Sequence, residues 1–249
     1  MTSNAQNEQP DKSSAKESAS IGGSLLSSSY PSADDWKKLV QQFSPEAIAL
    51  KFLLSHIPYV FRHEPLKFAI FRQTVADVFE VQPANVFIVG SAMAGRSLKG
   101  DDIDQKYSPE SDIDTLIGSH ELFDYCLYNS LEWIQEATRP TYPDKKAVWS
   151  SITPEKAKRI HWIAQYSQLG IWRPDSLPNE SSMKNEFFEK FRQVSIKTLG
   201  LQLSDDTVAK VNGRVARSFE DAVKDLSGSI YRLKKEFEGQ EPPAENPSD

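Results

Sequence analysis

Hydrophobic and polar positions divide the chain into segments with different repeats. Across residues 65–80 the large apolar side chains Phe68, Phe71, Val75, Val78 and Phe79 recur three and four apart, which is one face of a helix. The same repeat predicts a helix after Ser119, carrying Leu122, Phe123, Cys126, Leu127, Leu131, Trp133 and Ile134. Another runs from Phe219 through Ala222, Val223, Leu226, Ile230 and Leu233 to Phe237. Start signals add four more. Asp34-Asp35-Trp36 opens a short helix, Ser44-Pro45-Glu46 and Thr153-Pro154-Glu155 each combine a cap, a proline and an early acid, and Ser181-Ser182 begins a helix that stops at Gly200. Asp205-Asp206 predicts a further helix, weakened at Asn212-Gly213.

Two β-branched runs break this helical pattern. Val86–Val89 and residues 113–117 read as strands, and residues 147–152 as a short third one. Gly170-Ile171-Trp172-Arg173-Pro174-Asp175 reads as a loop or short extended piece. The expectation is an α/β (α+β) fold: a small mixed β-sheet core over residues 34–175 with N-terminal helices, followed by a helical C-terminal subdomain over 176–238. Residues 1–33 and 239–249 are poor in large apolar side chains and are expected to be disordered tails.

Composition narrows the class. At 249 residues the chain can bury one substantial core. A net charge of −6 argues against coating nucleic acid by bulk charge, while a local basic groove stays compatible with it. The single cysteine, Cys126, excludes an internal disulfide, sits in an apolar stretch as a small hydrophobe, and fits a reducing, cytoplasmic setting. No secretory signal and no membrane-spanning run is read, so no membrane partner is expected. The four histidines are scattered without metal spacing.

Chemistry concentrates in residues 86–117. The first strand ends in Gly90-Ser91; the second begins at Asp112-Ile113-Asp114, preceded by Ser111. Alternation along a strand puts Asp112 and Asp114 on one face with Ile113 on the other, an arrangement that can hold a divalent cation. Acids entering an apolar run, Thr115-Leu116-Ile117, need a reason. Between the two motifs, Asp101, Asp102 and Asp104 suggest a calcium loop, but Lys106-Tyr107 stands where a ligand and the glycine should fall, so this insertion reads as a solvated loop.

Gly90, Ser91, Asp112 and Asp114, in this order and on strand-like runs, resemble the polymerase-beta-like nucleotidyltransferase superfamily. The resemblance implies that Gly90 and Ser91 hold the phosphates of a nucleoside triphosphate and that Asp112 and Asp114 bind Mg²⁺ or Mn²⁺. It implies transfer of a nucleoside monophosphate to a hydroxyl acceptor by in-line attack on the α-phosphorus. A third carboxylate normally completes such a site. Asp175 is the preferred candidate, after Trp172-Arg173, with Asp144 and Glu155 behind it. Arg96 is either a triphosphate contact or a surface arginine, and Lys210, Arg214, Arg217 and Lys224 either face the cleft or form a solvated helix face. The acceptor is a nucleic acid, a nucleotide, a protein or a small molecule; bacterial defence and toxin–antitoxin systems are settings in which small members of the superfamily work. The alternative, motivated by the missing third acid, is a catalytically degenerate nucleotide-binding or regulatory module that binds a protein partner.

Overall fold

The computed structural model describes residues 30–139, 152–200 and 210–239. Among these, eight helices surround a four-stranded sheet of order β1-β2-β4-β3, with β1 Val86–Val89, β2 Ile113–Gly118, β3 Ile171–Trp172 and β4 Val211–Ala216. β1 runs antiparallel to β2, β2 parallel to β4, and β4 antiparallel to β3. The sheet is therefore small and mixed, and the fold is α/β, as the strand and helix repeats predict.

The helices are α1 Ala33–Gln42, α2 Pro45–Ser55, α3 Pro65–Phe79, α4 Gly90–Ala94, α5 His120–Ala137, α6 Pro154–Gln168, α7 Ser182–Leu199 and α8 Phe219–Phe237. Their starts follow from local chemistry. The hydroxyls of Ser44, Ser119, Thr153 and Ser181 each accept a backbone N–H three residues on, satisfying donors that have no partner within the helix. Ser32 goes further, because its hydroxyl accepts from the Asp35 amide while the Asp35 carboxylate accepts from the Ser32 amide. Order thus reaches back into the stretch expected to be tail: Tyr30 donates its hydroxyl to the Ile57 carbonyl and packs edge-on against His56 and Tyr59. Residues 1–29 and 240–249, all but the last residue of the strand expected over 147–152, and the helix start at Asp205-Asp206 lie outside the described residues.

Period-two alternation gives the sheet two unlike faces. Val86, Ile88, Ile113, Ile117, Val211 and Val215 belong to the main core, which includes Phe79 of α3, Phe123 and Cys126 of α5, and Phe187 and Phe191 of α7. Trp172 joins it and donates its indole N–H to Ser130 of α5 at 2.9 Å, tying β3 to that helix. Phe87, Val89, Leu116, Ile171 and Ala216 lie on the opposite face with Ala222 of α8 and, at the edge, Leu53 of α2. The second face is apolar at one end of the sheet and polar at the other. At the polar end lie Asp114, Asn212 and Arg214.

β4 corrects the sequence reading. Val211–Ala216 was expected to continue a helix within a helical C-terminal subdomain, yet it is a central strand, so the chain after residue 176 is not purely helical and returns to the core sheet. Asn and Gly are poor strand formers, and their strand preference is supplied by context. Gly213 lies over the Phe191 ring, where a Cβ would approach its Cζ to 2.5 Å, so a side chain at this position would displace the core.

Candidate functional site

The site forms where β1 ends and β2 begins. Val89 pairs with Asp114, and the chain then turns at Gly90 with φ +64°, a left-handed conformation that favours glycine. A Cβ on Gly90 would lie 2.9 Å from Asp114 Oδ2, so the absent side chain is what allows the backbone and the carboxylate to approach. α4 continues for only five residues and offers little macrodipole; its usefulness lies in placing Ser91 next to Gly90.

Asp114 stands opposite Asn212 in the parallel β2–β4 pair, on the same face of the sheet. The Asn212 side-chain amide donates to Asp112 Oδ2 at 3.0 Å. Asp112, Asp114 and Asn212 therefore form one polar group, Asp112 and Asn212 coming from positions 100 residues apart. Tyr107 faces the pair. Burial pushes its phenol pKa up, and the negative charges of Asp112 and Asp114 push it further in the same direction, so the hydroxyl stays protonated at neutral pH.

A cavity of about 370 Å³ opens on Gly90, Ser91, Ser111 and Asp114. Its walls carry five cationic side chains, Lys99, Lys106, Arg173, Arg214 and Arg232, against three carboxylates, Asp102, Asp114 and Glu236. Arg214 is held by Asp225 of α8: its Nε donates to Asp225 Oδ2 at 3.0 Å, and its Nη2 donates to the same oxygen. Positive charge drawn from the insertion, β4, α8 and the turn after β3 thus meets Asp114 of β2, with Asp112 just ahead of the strand. The arrangement suits a polyanion bound together with a divalent cation.

The insertion between the two motifs helps to build this cavity, contrary to its reading as a solvated loop. Arg96 and Lys106 form an antiparallel bridge, Ser97 N–H donates to the Gln105 carbonyl at 2.9 Å, and Ile103 is buried. The Glu236 carboxylate accepts from the Gly100 amide and ties the insertion to the end of α8. Tyr107 and Ser111 also line a second cavity of about 390 Å³ on the other side, with Tyr59, Val60, Ile113 and Leu199 among its walls.

Of the residues singled out by sequence, Gly90, Ser91, Ser111 and Asp114 meet in the cavity and Asp112 stands beside them through Asn212. Arg96 does not line it: its guanidinium donates to the Ile103 carbonyl at 3.0 Å and braces the insertion. Asp175 is elsewhere too, in a turn, with its carboxylate 3.7 Å from Lys184 Nζ and its carbonyl accepting from Arg159. Glu155 pairs with Arg159 on α6, and Asp144 lies outside the described residues. Among the described residues no three of His, Cys, Asp and Glu converge as a metal-binding group, so neither Asp175 nor Glu155 joins Asp112 and Asp114. Of Lys210, Arg214, Arg217 and Lys224 only Arg214 lines the cavity; Lys210 donates to the Glu110 carbonyl, Arg217 pairs with Asp221, and Lys224 with Glu220 and Asp221. Lys99, Lys106, Arg232 and Asn212 were missed. The signal for Asn212 was the alternation Val211, Gly213, Val215 against Asn212, Arg214, Ala216, which the Asn-Gly pair disguised as a helix break.

Compared with known proteins, the chain matches no family model, no curated protein and no solved structure. Fold and site define an α/β protein with a polar cavity rich in Lys and Arg against Asp114 of the sheet. No helix among the described residues is long and apolar enough to cross a membrane.

Proposed function

We propose that this cavity binds a nucleoside triphosphate together with a divalent cation, Mg²⁺ or Mn²⁺, and transfers the nucleoside monophosphate to a hydroxyl acceptor. The observation that carries the reading is the meeting of Gly90-Ser91 with Asp114 at the mouth of a cavity rich in Lys and Arg. The donor set fits the cation: Asp112 and Asp114 offer hard carboxylate oxygens, and Mg²⁺ commonly takes only one or two of these besides substrate oxygens and water. When bound, the cation supplies charge neutralisation on the phosphates. Lys99, Lys106, Arg214 and Arg232 bind and orient the triphosphate, and Gly90 lets the backbone reach it without a side chain between. Tyr107 lines both cavities, and its protonated hydroxyl donates to the Ser111 carbonyl at 3.4 Å, bracing the approach to Asp112. We place the activity in the cytoplasm, a reducing compartment that suits the single buried thiol, Cys126.

A second reading is favoured by one observation. Asn212 stands where a further carboxylate would complete the group with Asp112 and Asp114, which suits nucleotide binding without efficient transfer, as in a regulatory module with a protein partner. Incubating the full chain with each α-labelled triphosphate and Mg²⁺ or Mn²⁺, with and without RNA, DNA and cell extract, separates the two. Labelled product and released pyrophosphate that vanish in Asp112→Ala, Asp114→Ala support transfer. Cation-dependent nucleotide binding without product supports the second reading, and neither binding nor product rejects both.

A further inference from the structure

Resting on the nucleotide-and-cation reading above, we infer that Asn212 restricts the site to one divalent cation and acts as a positioning residue for Asp112. Two cations about 3.5–4 Å apart need bridging oxygens and separate anionic ligands for each ion. Among the described residues no third carboxylate converges with Asp112 and Asp114. Asp112 Oδ2 is already engaged by the Asn212 amide, a donor that competes with a cation for that oxygen. The amide oxygen is a neutral ligand even when rotated inward, so it adds no charge to balance a second dication. Arg214 lies on the same face of β4 two residues on and lines the cavity with Asp114, its guanidinium held there by Asp225, so this neighbour of Asn212 offers no oxygen ligand either.

The opposed arrangement of Asp114 and Asn212 also shows how little separates this site from a three-carboxylate one. Replacing the Asn212 amide with a carboxylate keeps the shape of the side chain, exchanges its donor for an acceptor, and adds one negative charge facing Asp112. Asn212 therefore sets cation number, while Asp112 and Asp114 set whether any cation binds.

The test counts ions rather than turnover. Mn²⁺ is titrated into the full-length chain and free Mn²⁺ is followed by its paramagnetic resonance signal, for wild type, Asn212→Asp and Asn212→Ala, with circular dichroism to check folding. We expect one Mn²⁺ per chain in wild type, one bound several-fold more weakly in Asn212→Ala, which lacks both the amide that positions Asp112 and a third carboxylate, and two in Asn212→Asp, the bound pair showing spin coupling; undiminished affinity in a folded Asn212→Ala overturns the positioning role. Two ions in wild type overturn the inference while leaving the nucleotide-and-cation reading standing, and this outcome is readable even if a variant misfolds. A folded Asn212→Asp that still takes one ion also overturns it. No Mn²⁺ on wild type removes the underlying reading and the inference with it.

Discussion

Gly90→Ala probes the contact on which the site is built. At φ +64° an alanine pays about 1–2 kcal/mol for the left-handed conformation, offset by about 0.4–1 kcal/mol from the stiffer unfolded chain. The net backbone effect is then about 1 kcal/mol. At Gly90 the new Cβ also meets Asp114 Oδ2 at 2.9 Å, and a short side chain on a paired strand has little room to retreat. Overpacking of this kind adds about 1 kcal/mol, the low end of its usual range. Gly200 supplies the control: it has the same φ of +64° and nothing within 4 Å of its Cβ position, so Gly200→Ala carries the backbone effect alone. Urea denaturation should place Gly90→Ala about 2 kcal/mol and Gly200→Ala about 1 kcal/mol below wild type, since backbone and packing effects at separate sites are measured as differences. The Mn²⁺ affinity of Gly90→Ala should fall about tenfold, because a displaced ligand is held less well, while that of Gly200→Ala should match wild type. Equal destabilisation in the two variants with undiminished Mn²⁺ affinity would refute the Gly90–Asp114 contact as the organiser of the site.

Further predictions concern charge. Burial, aided by Lys51, lowers the pKa of His56 from 6.5 to about 4, and its Nε2 is buried with no hydrogen-bond partner among the described residues. Its contribution to stability is therefore complete above pH 6.5 and is lost as pH falls toward 4. Because the ring is only partly buried, we expect wild type to lose about 1–2 kcal/mol more than His56→Phe between pH 7.5 and pH 5 in urea denaturation; equal losses would contradict the assignment. Asp225→Asn removes the carboxylate partner of Arg214, and both side chains are mostly buried, at 13% and 17% exposure. The variant should lose about 2–3 kcal/mol, less than a fully buried pair. Inorganic tripolyphosphate should raise its melting temperature more than that of wild type, and an equal rise would place Arg214 outside the anion-binding surface.

Features that depend on neighbours in sequence were legible, and features that depend on neighbours in space were not. Ser44-Pro45, Ser119, Thr153-Pro154 and Ser181 mark helix starts because a cap acts over three residues. Val86–Val89 announces itself as a strand because it is buried on both faces and β-branched. Gly90 and Asp114 could be paired in advance only through the resemblance, since their contact belongs to the sheet register. β4 was hidden for the same reason: Asn212 and Gly213 have weak strand preference, and the pairing that stabilises them lies about 100 residues away. The cations at the cavity were equally opaque. Lys99 and Lys106 look like any solvated lysines until the bridge between Arg96 and Lys106 folds the insertion back, and Arg96, the more conspicuous residue, serves that fold instead.

In the function proposed above, Asp112 and Asp114 hold a divalent cation beside the triphosphate of a bound nucleotide. The most direct measurement of this is a crystal structure of the full chain with Mn²⁺ and a non-hydrolysable nucleoside triphosphate, with anomalous data collected at the manganese edge. An anomalous peak is expected about 2.1 Å from carboxylate oxygens of Asp112 and Asp114, with phosphates against Ser91 and the Lys and Arg side chains of the cavity. A nucleotide bound elsewhere, or an ordered nucleotide in this cavity with no manganese on either aspartate, would contradict the proposal.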